Sequence, residues 1–446
     1  MATKKELIEA QGFSRRRLLS AFIGGAPGGK ELEPAQPLRA VVAGVALTAM
    51  VILGGVFYGL LRPGLPEGWE NNRLILASDT GARYVSIKGV LYPVINTASA
   101  RLMIEADEFA VITTDQATLE GIEIGATVGI LGAPDAVASP EQLINDGWSA
   151  CQRDGETALA ISTQIQANAV DDATVVRVND VLYVISGQYR YKVDPSAEAP
   201  ILRAVGLSSV TPEDVDSNWL GLFTEGADLS PIVVENAGTR ITGSDVVIGS
   251  AIHPQGTPDS NLFLVTEDRE LAALSPLAYQ LYLLGTGSGE LGDPQEGSTS
   301  TASLENADDP AGGIDWPQDA LTPLVTEENT CALLTHVDGT PVTVLGTLRD
   351  DSPITADNLG VTMEGGHGSL VYTGTGDAPP IFLIDESGTA YAIPGATEDV
   401  LARLGYELDD IDQVTPAWLK FMAPGPALDI ESAGKTPQAN AASDAP

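Results

Sequence analysis

The chain reads as a mixed α/β protein. A single N-terminal transmembrane helix leads into an elongated extracytoplasmic region of four small α/β repeat domains around a β-rich central core. Three observations predict this. Ala40 to Leu61 is a run of twenty-two residues without a charge, bracketed by Arg39 and Arg62. Short strand-like and helix-like segments alternate through the remainder, cut by turns drawn from 47 Gly and 29 Pro. One pattern of spacings also occurs twice, far apart in the chain.

The apolar run sets the topology. At about 1.5 Å rise per residue it would span about 33 Å as a helix, enough for a bilayer core of roughly 30 Å. Before it, residues 1–39 carry Lys4, Lys5, Arg15, Arg16, Arg17, Lys30 and Arg39 against Glu6, Glu9, Glu31 and Glu33. Short basic flanks stay cytoplasmic, so the head is expected inside and the body outside. A cleaved signal peptide would have a shorter apolar region, about 7–15 residues, ending at small residues. This run ends in Leu60-Leu61-Arg62-Pro63, which favours a retained anchor in the cell membrane.

The head is expected to form an amphipathic helix over roughly 4–22, with Leu7, Phe13, Leu18, Leu19 and Phe22 among basic residues. Arg15, Arg16 and Arg17 would hold it at the membrane surface or against a cytoplasmic partner. Gly55 and Gly59 lie four residues apart and would let a second membrane helix approach closely. Glycine is also common in membrane helices without any such role.

Charge follows the same division. Residues 63–446 hold 57 of the 61 acids and 15 of the 23 bases. So acidic a body repels nucleic acid and anionic headgroups, and its charge keeps a large exported region soluble. The two cysteines, Cys151 and Cys331, suit one bridge in an oxidising compartment, with a free buried pair as the alternative. No CxxC pair and no cysteine-rich zinc site can be built from them.

Strands are expected at 82–87, 174–178, 181–185, 262–265, 342–345, 370–372 and 381–384, and helices at 98–104, 276–283 and 398–404. The repeat runs Leu202, Gly206, Val215, Trp219, Gly226, Leu229 and again Leu401, Gly405, Val414, Trp418, Gly425, Leu428, with all five spacings matched. Tyr191 and Tyr391 precede the two copies. Looser copies begin at Gly81-Ala82-Arg83-Tyr84 and at Leu262. The expected division is therefore a cytoplasmic head at 1–39, the membrane helix at 40–61 and a first repeat at 63–105. Core segments follow at 106–171 and 320–378, and further repeats at 172–256, 257–319 and 379–430. Gly285 to Gly313 reads as a flexible loop and 431–446 as a disordered tail.

No catalytic constellation stands out. Gly24 to Lys30 fits the phosphate loop GxxxxGK[ST] until Glu31, a carboxylate where a hydroxyl is needed. Gly434-Lys435-Thr436 lacks the first glycine, with Asp429 in its place. His253, His336 and His367 have no zinc-ligand spacing. Acid runs such as Asp409-Asp410-Ile411-Asp412 read as solvated surface.

Specific strings carry a family resemblance over essentially the whole chain. They are Phe13-Ser14-Arg15-Arg16-Arg17-Leu18, then Gly81-Ala82-Arg83-Tyr84 and Asn96-Thr97-Ala98-Ser99-Ala100-Arg101-Leu102. Gly132-Ala133-Pro134-Asp135 and Trp148-Ser149-Ala150-Cys151 follow. In this it resembles EccB, the single-span membrane component of type VII (ESX) secretion systems. The resemblance implies four small α/β repeat domains around a β-rich centre and a disulfide joining Cys151 to Cys331. It implies as partners EccC, EccD, EccE and a mycosin-type protease, with a homo-oligomer inside the complex and no cofactor. Some family members are described as ATPases; the residues here supply no phosphate loop for that.

Overall fold

The computed structural model describes residues 3–24, 37–61, 65–153, 155–256, 258, 260–297, 304–324, 329–354 and 359–437. They fall into two units, 1–64 and 65–446.

The first unit holds α1 (Lys4–Gly24) and α2 (Pro37–Leu61). The Thr3 amide donates to Glu6 Oε2 at 2.7 Å, satisfying one of the free donors at the start of α1. α2 opens on proline, whose fixed φ suits a first helical turn. It begins three residues before the expected run and is continuous over 25 residues. Its described side chains, at 40–56, are all exposed. Among the described residues no helix is long and apolar enough to cross a membrane.

Among its described residues the second unit contains five sheets. The first is built from β1 (Arg73–Ala77), β2 (Ala82–Ile87), β3 (Val90–Pro93), α3 (Thr97–Met103) and β4 (Val111–Thr114). Then come β5 (Ser149–Arg153), β6 (Glu156–Ile161) and β7 (Ala167–Ala169) of the central sheet. The second outer sheet holds β8 (Ala173–Val178), β9 (Val181–Ser186), β10 (Tyr189–Lys192), α4 (Glu198–Ala204), β11 (Glu213–Asp214), α5 (Ser217–Leu220) and β12 (Thr224–Glu225). The third holds β13 (Ala251–His253), β14 (Leu262–Val265), β15 (Leu271–Leu274), α6 (Pro276–Leu284) and β16 (Gln295–Glu296). The chain returns to the centre with β17 (Thr330–Val337), β18 (Thr340–Leu348) and β19 (Gly360–Met363). It finishes the fourth outer sheet with β20 (Ser369–Thr373), β21 (Ile381–Ile384), β22 (Thr389–Ile393), α7 (Glu398–Leu404), β23 (Asp412–Val414), α8 (Pro416–Leu419), β24 (Ala423–Pro424) and α9 (Ile430–Ala433).

All four outer sheets share one topology. Three strands form an antiparallel meander, a helix crosses, and a short strand returns parallel to the first. A last segment runs parallel to the third strand: β12, β24, or the bridges Leu91↔Ile124 and Leu271↔Asn306. A parallel return requires a crossover, and the helix supplies it.

This topology moves several expected boundaries. β4 closes the first sheet rather than joining the core at 106–171. β13 opens the third sheet before 257, and β20 opens the fourth before 379. The expected disordered tail also gains order. Asp429 caps α9, Ala433 is fully buried, and the Lys435 carbonyl accepts from Gly129 N at 3.0 Å. Residues 438–446 lie outside the described residues.

The Gly285–Gly313 stretch is likewise not a loose linker over its described part. Tyr282 Oη donates to the Leu291 carbonyl at 2.6 Å and Tyr279 Oη to Gly292 at 2.8 Å. A Cβ on Gly287 would lie 2.4 Å from the Tyr282 ring. These glycines serve close packing, where composition suggested flexibility.

The repeated spacing has the same origin. A Cβ on Gly226 would sit 2.5 Å from Tyr191, and one on Gly425 would sit 2.4 Å from Tyr391. Gly125 stands to Tyr92 in the same way, at 2.5 Å, in the first sheet.

Neighbouring sheets share cores. The first and fourth pack α3 against α7 and α9, the second and third pack α4 against α6, and the second and fourth flank the central sheet.

Candidate functional site

The central sheet, ordered β19-β6-β5-β17-β18-β7, is the joint on which the second and fourth outer sheets bear. β5 and β17 are antiparallel, with Cys151 directly opposite Cys331, Cα atoms 4.0 Å apart and the sulfurs bonded. That close spacing marks a non-hydrogen-bonded strand pair. Both cysteines are fully buried among Ala158, Ala160, Ala167 and Leu348.

The opposite face receives two tryptophans. Asp216 caps α5 through the Asn218 amide, and α5 drops Trp219 onto the sheet, where Nε1 donates to the Ala150 carbonyl at 2.8 Å. Proline opens α8, which places Trp418 so that its Nε1 donates to Thr343 Oγ1 at 3.0 Å. Trp148 meets Trp418 edge to face at 6.0 Å, a favoured aromatic arrangement. Each indole thus buries its ring and still satisfies its one donor.

A smaller polar contact joins the centre to the fourth sheet. His336 Nε2 lies 2.8 Å from the Gln413 carbonyl and Nδ1 lies 3.2 Å from Asp146.

Glu213 of β11 accepts from Thr330 Oγ1, beside Cys331. Burial raises its carboxyl above the ordinary value of 4.5, opposed by the threonine bond. A raised carboxyl stabilises the fold below the unfolded value and loses that contribution as pH rises through the folded one. Glu213→Gln keeps an acceptor for Thr330 and removes the half-buried charge. Thermal melts across pH should show the variant more stable near neutrality, by on the order of 1 kcal/mol, with the difference closing towards pH 4.

The first and fourth sheets close each other's helices. Arg101 of α3 donates to the Leu404 carbonyl of α7 at 3.1 Å, and Arg403 of α7 donates to the Leu102 carbonyl of α3 at 3.3 Å. Arg101 also stacks over Phe109 at 4.8 Å, and burial lowers its guanidinium from the ordinary range. Arg101→Met would leave the Leu404 carbonyl without that donor. The expected loss is about 1–2 kcal/mol in denaturant melts, with Arg83→Met, at a partly exposed pair with Asp135, costing less.

Perturbed phenols are structural too. Burial pushes Tyr191 and Tyr406 upward, and they donate to the carbonyls of Asp315 and Ala138. Arg177, Arg190, Arg349 and Lys435 are engaged by neighbouring acids. Much of the body's scarce positive charge is therefore neutralised where it stands.

Of the residues singled out in the sequence, Cys151 and Cys331 meet. Arg15, Arg16 and Arg17 lie exposed on α1. Gly55 lies on α2 with nothing within 4 Å of where a Cβ would be, whereas the surroundings of Gly59 fall outside the described residues. Gly24 ends α1, and 25–36 lie outside the described residues. Gly434-Lys435-Thr436 follows α9, with Lys435 Nζ bonded to Glu431 Oε1 at 2.5 Å. His253, His336 and His367 are on separate elements, and among the described residues no His, Cys, Asp and Glu group could hold a metal. The Arg101–Arg403 exchange had no sequence signal. The Trp219 and Trp418 anchors did, in their matched spacing.

The arrangement defines a class: a scaffold of small α/β modules locked on a disulfide-bonded central sheet and preceded by a long helix. Residues 1–439 match the family described as "Type VII secretion system ESX-1, transport TM domain B", and the chain belongs to it. It is similar to the Mycobacterium tuberculosis protein named "ESX-5 secretion system ATPase EccB5", 30% identical over 56% of this chain and 53% of that protein. The chain thus spans about half the length of that relative. Another M. tuberculosis relative, "ESX-3 secretion system ATPase EccB3", is 23% identical over 87% of this chain and 81% of its own. In fold it resembles a chain of "Structure of an intact ESX-5 inner membrane complex", with TM-score 0.64 and 21% identity over 100% of this chain and 98% of that one. It also resembles "Structure of EccB3 dimer from the ESX-3 core complex", with TM-score 0.63 and 19% identity over 81% and 99%.

Proposed function

We propose that this chain is a structural, membrane-anchored subunit of a type VII secretion machine, helping to assemble and stabilise the translocation complex. The observation that carries this reading is family membership over residues 1–439, a match that takes in head, long helix and module array together. α2 is assigned as the membrane helix; the uncharged run from Ala40 to Leu61, bracketed by Arg39 and Arg62, supports that assignment. α1, with Arg15, Arg16 and Arg17, remains cytoplasmic, Gly55 and Gly59 pack against partner helices, and the acidic modules assemble on the outer side. Each outer sheet with its crossover helix is one repeat domain, and the central sheet is the core between them.

The partners assigned are EccC, EccD, EccE and a mycosin-type protease, with a second copy of the chain among them. The relatives solved as an inner membrane complex and as a dimer support membership of a complex and a second copy by likeness of fold, and the named partners follow from the family resemblance. Extraction in mild detergent followed by affinity purification tests it. The subunits should co-purify, and a chain that always runs alone as a monomer rules the reading out. Protease added to intact cells should digest the modules and spare the head.

A second reading, ATP hydrolysis outside the membrane, draws on the relatives' printed names. It requires turnover that survives purification to homogeneity and disappears with one acidic substitution. A third, binding to cell-wall material, would add to the structural role and is tested by pull-down on isolated walls.

A further inference from the structure

The third outer sheet carries a groove of about 310 Å³. Its floor is apolar: Leu264 and Ala272, cross-strand partners on β14 and β15, with Ala311 beside them, all buried. Three carboxylates rim it, Glu270 from the β14–β15 turn and Asp308 and Asp309 from the segment along β15. That segment is fixed. Ala307 N donates to Leu271 at 3.0 Å and Ala311 N to Ala273 at 2.8 Å. Gly312, at φ +91°, lies so close under Trp316 that a Cβ would be 2.4 Å from its ring, and Trp316 Nε1 donates to Ala227 at 3.0 Å. The groove therefore exists before any partner arrives, so little ordering remains to oppose binding.

No Lys or Arg pairs with Glu270, Asp308 or Asp309 among the described residues, in contrast to Asp135, Asp214, Glu225 and Asp351. An apolar floor beneath unpartnered carboxylates is complementary to a cation carried on an aliphatic stem. We propose that this groove docks an extended basic segment of a partner protein. One Arg or Lys side chain lays its stem along the half-buried Ala307 and Pro310, above Leu264 and Ala272, and its charge among Glu270, Asp308 and Asp309. The proposal stands apart from the structural reading above, since either can hold without the other.

The test uses the full-length protein in detergent at about 50 mM salt, where surface charge is weakly screened. The probe is a fluorescent acetyl-Gly-Ala-Arg-Ala-Gly amide, with a citrulline twin that keeps shape and loses charge. Saturable binding is expected, about tenfold weaker for the twin and for Glu270→Gln/Asp308→Asn/Asp309→Asn. The control Asp377→Asn/Asp409→Asn/Asp412→Asn removes as much exposed charge elsewhere and should change affinity by less than about twofold. Ala307→Leu narrows the groove with every charge in place and should also weaken binding about tenfold, its melting temperature checking the fold. Absence of saturable binding overturns the proposal, as do equal losses in the two triple variants or unchanged affinity in Ala307→Leu.

Discussion

Replacing Cys151 and Cys331 together by alanine is expected to lower the unfolding free energy of the second unit by up to about 5 kcal/mol. The bridge closes a sequence separation of 180 residues, so the unfolded chain regains a large amount of freedom when the bond is gone. Alanine is the right replacement because the neighbours on that face, Ala158, Ala160 and Ala167, are themselves small and apolar. A serine there would bury a hydroxyl on an apolar face, at a cost that alanine avoids. Both sulfurs are sealed from solvent, so dithiothreitol should leave the native protein unchanged and act only once denaturant opens the sheet. Chemical melts of parent and double variant give the difference directly. If their midpoints and slopes coincide, the bridge is not what holds β5 to β17.

The second large effect belongs to the two indoles. Trp219→Ala and Trp418→Ala should each cost about 3–5 kcal/mol, the range for truncating a buried aromatic to alanine. The location of the damage is more telling than its size. Loss of Trp418 removes the wedge between β18 and the fourth sheet, along with its contact to Trp148. Amide exchange should then quicken in β20–β24 while β8–β12 keep their protection. Loss of Trp219 should produce the mirror result. Uniform quickening in both variants would mean that the sheets open as one cooperative block.

Much of the local structure could be read from the residues. β2, β14, β21 and α7 occupy the expected positions because the strands are short runs rich in β-branched, aromatic or apolar residues and α7 repeats its apolar residues at helical spacing. The closing strands could not be read. β11, β12 and β24 are two residues long, too short to show any period, and they form because the helix before each, α4, α5 or α8, delivers it beside a strand already in place. Joints between modules were hidden for a different reason. Arg101 and Leu404 are 303 positions apart, and no local pattern relates them. The candidate site was legible to the same extent. The Trp219 and Trp418 positions stood out as a repeat, whereas the cysteines alone left bridge and free pair both open. Composition misled between Gly285 and Gly297, where Gly287 admits the ring of Tyr282 and the Gly292 carbonyl accepts from Tyr279.

The mutual capping of α3 and α7 has a consequence for biogenesis. The first module after α2 receives one of its helix-closing donors, Arg403, from 301 positions later in the chain. As the chain is made, that lobe stays unfinished until α7 has emerged. A prematurely terminated product lacking α7 would present α3 with its closing contacts unmade, a lesion that quality-control proteases could recognise.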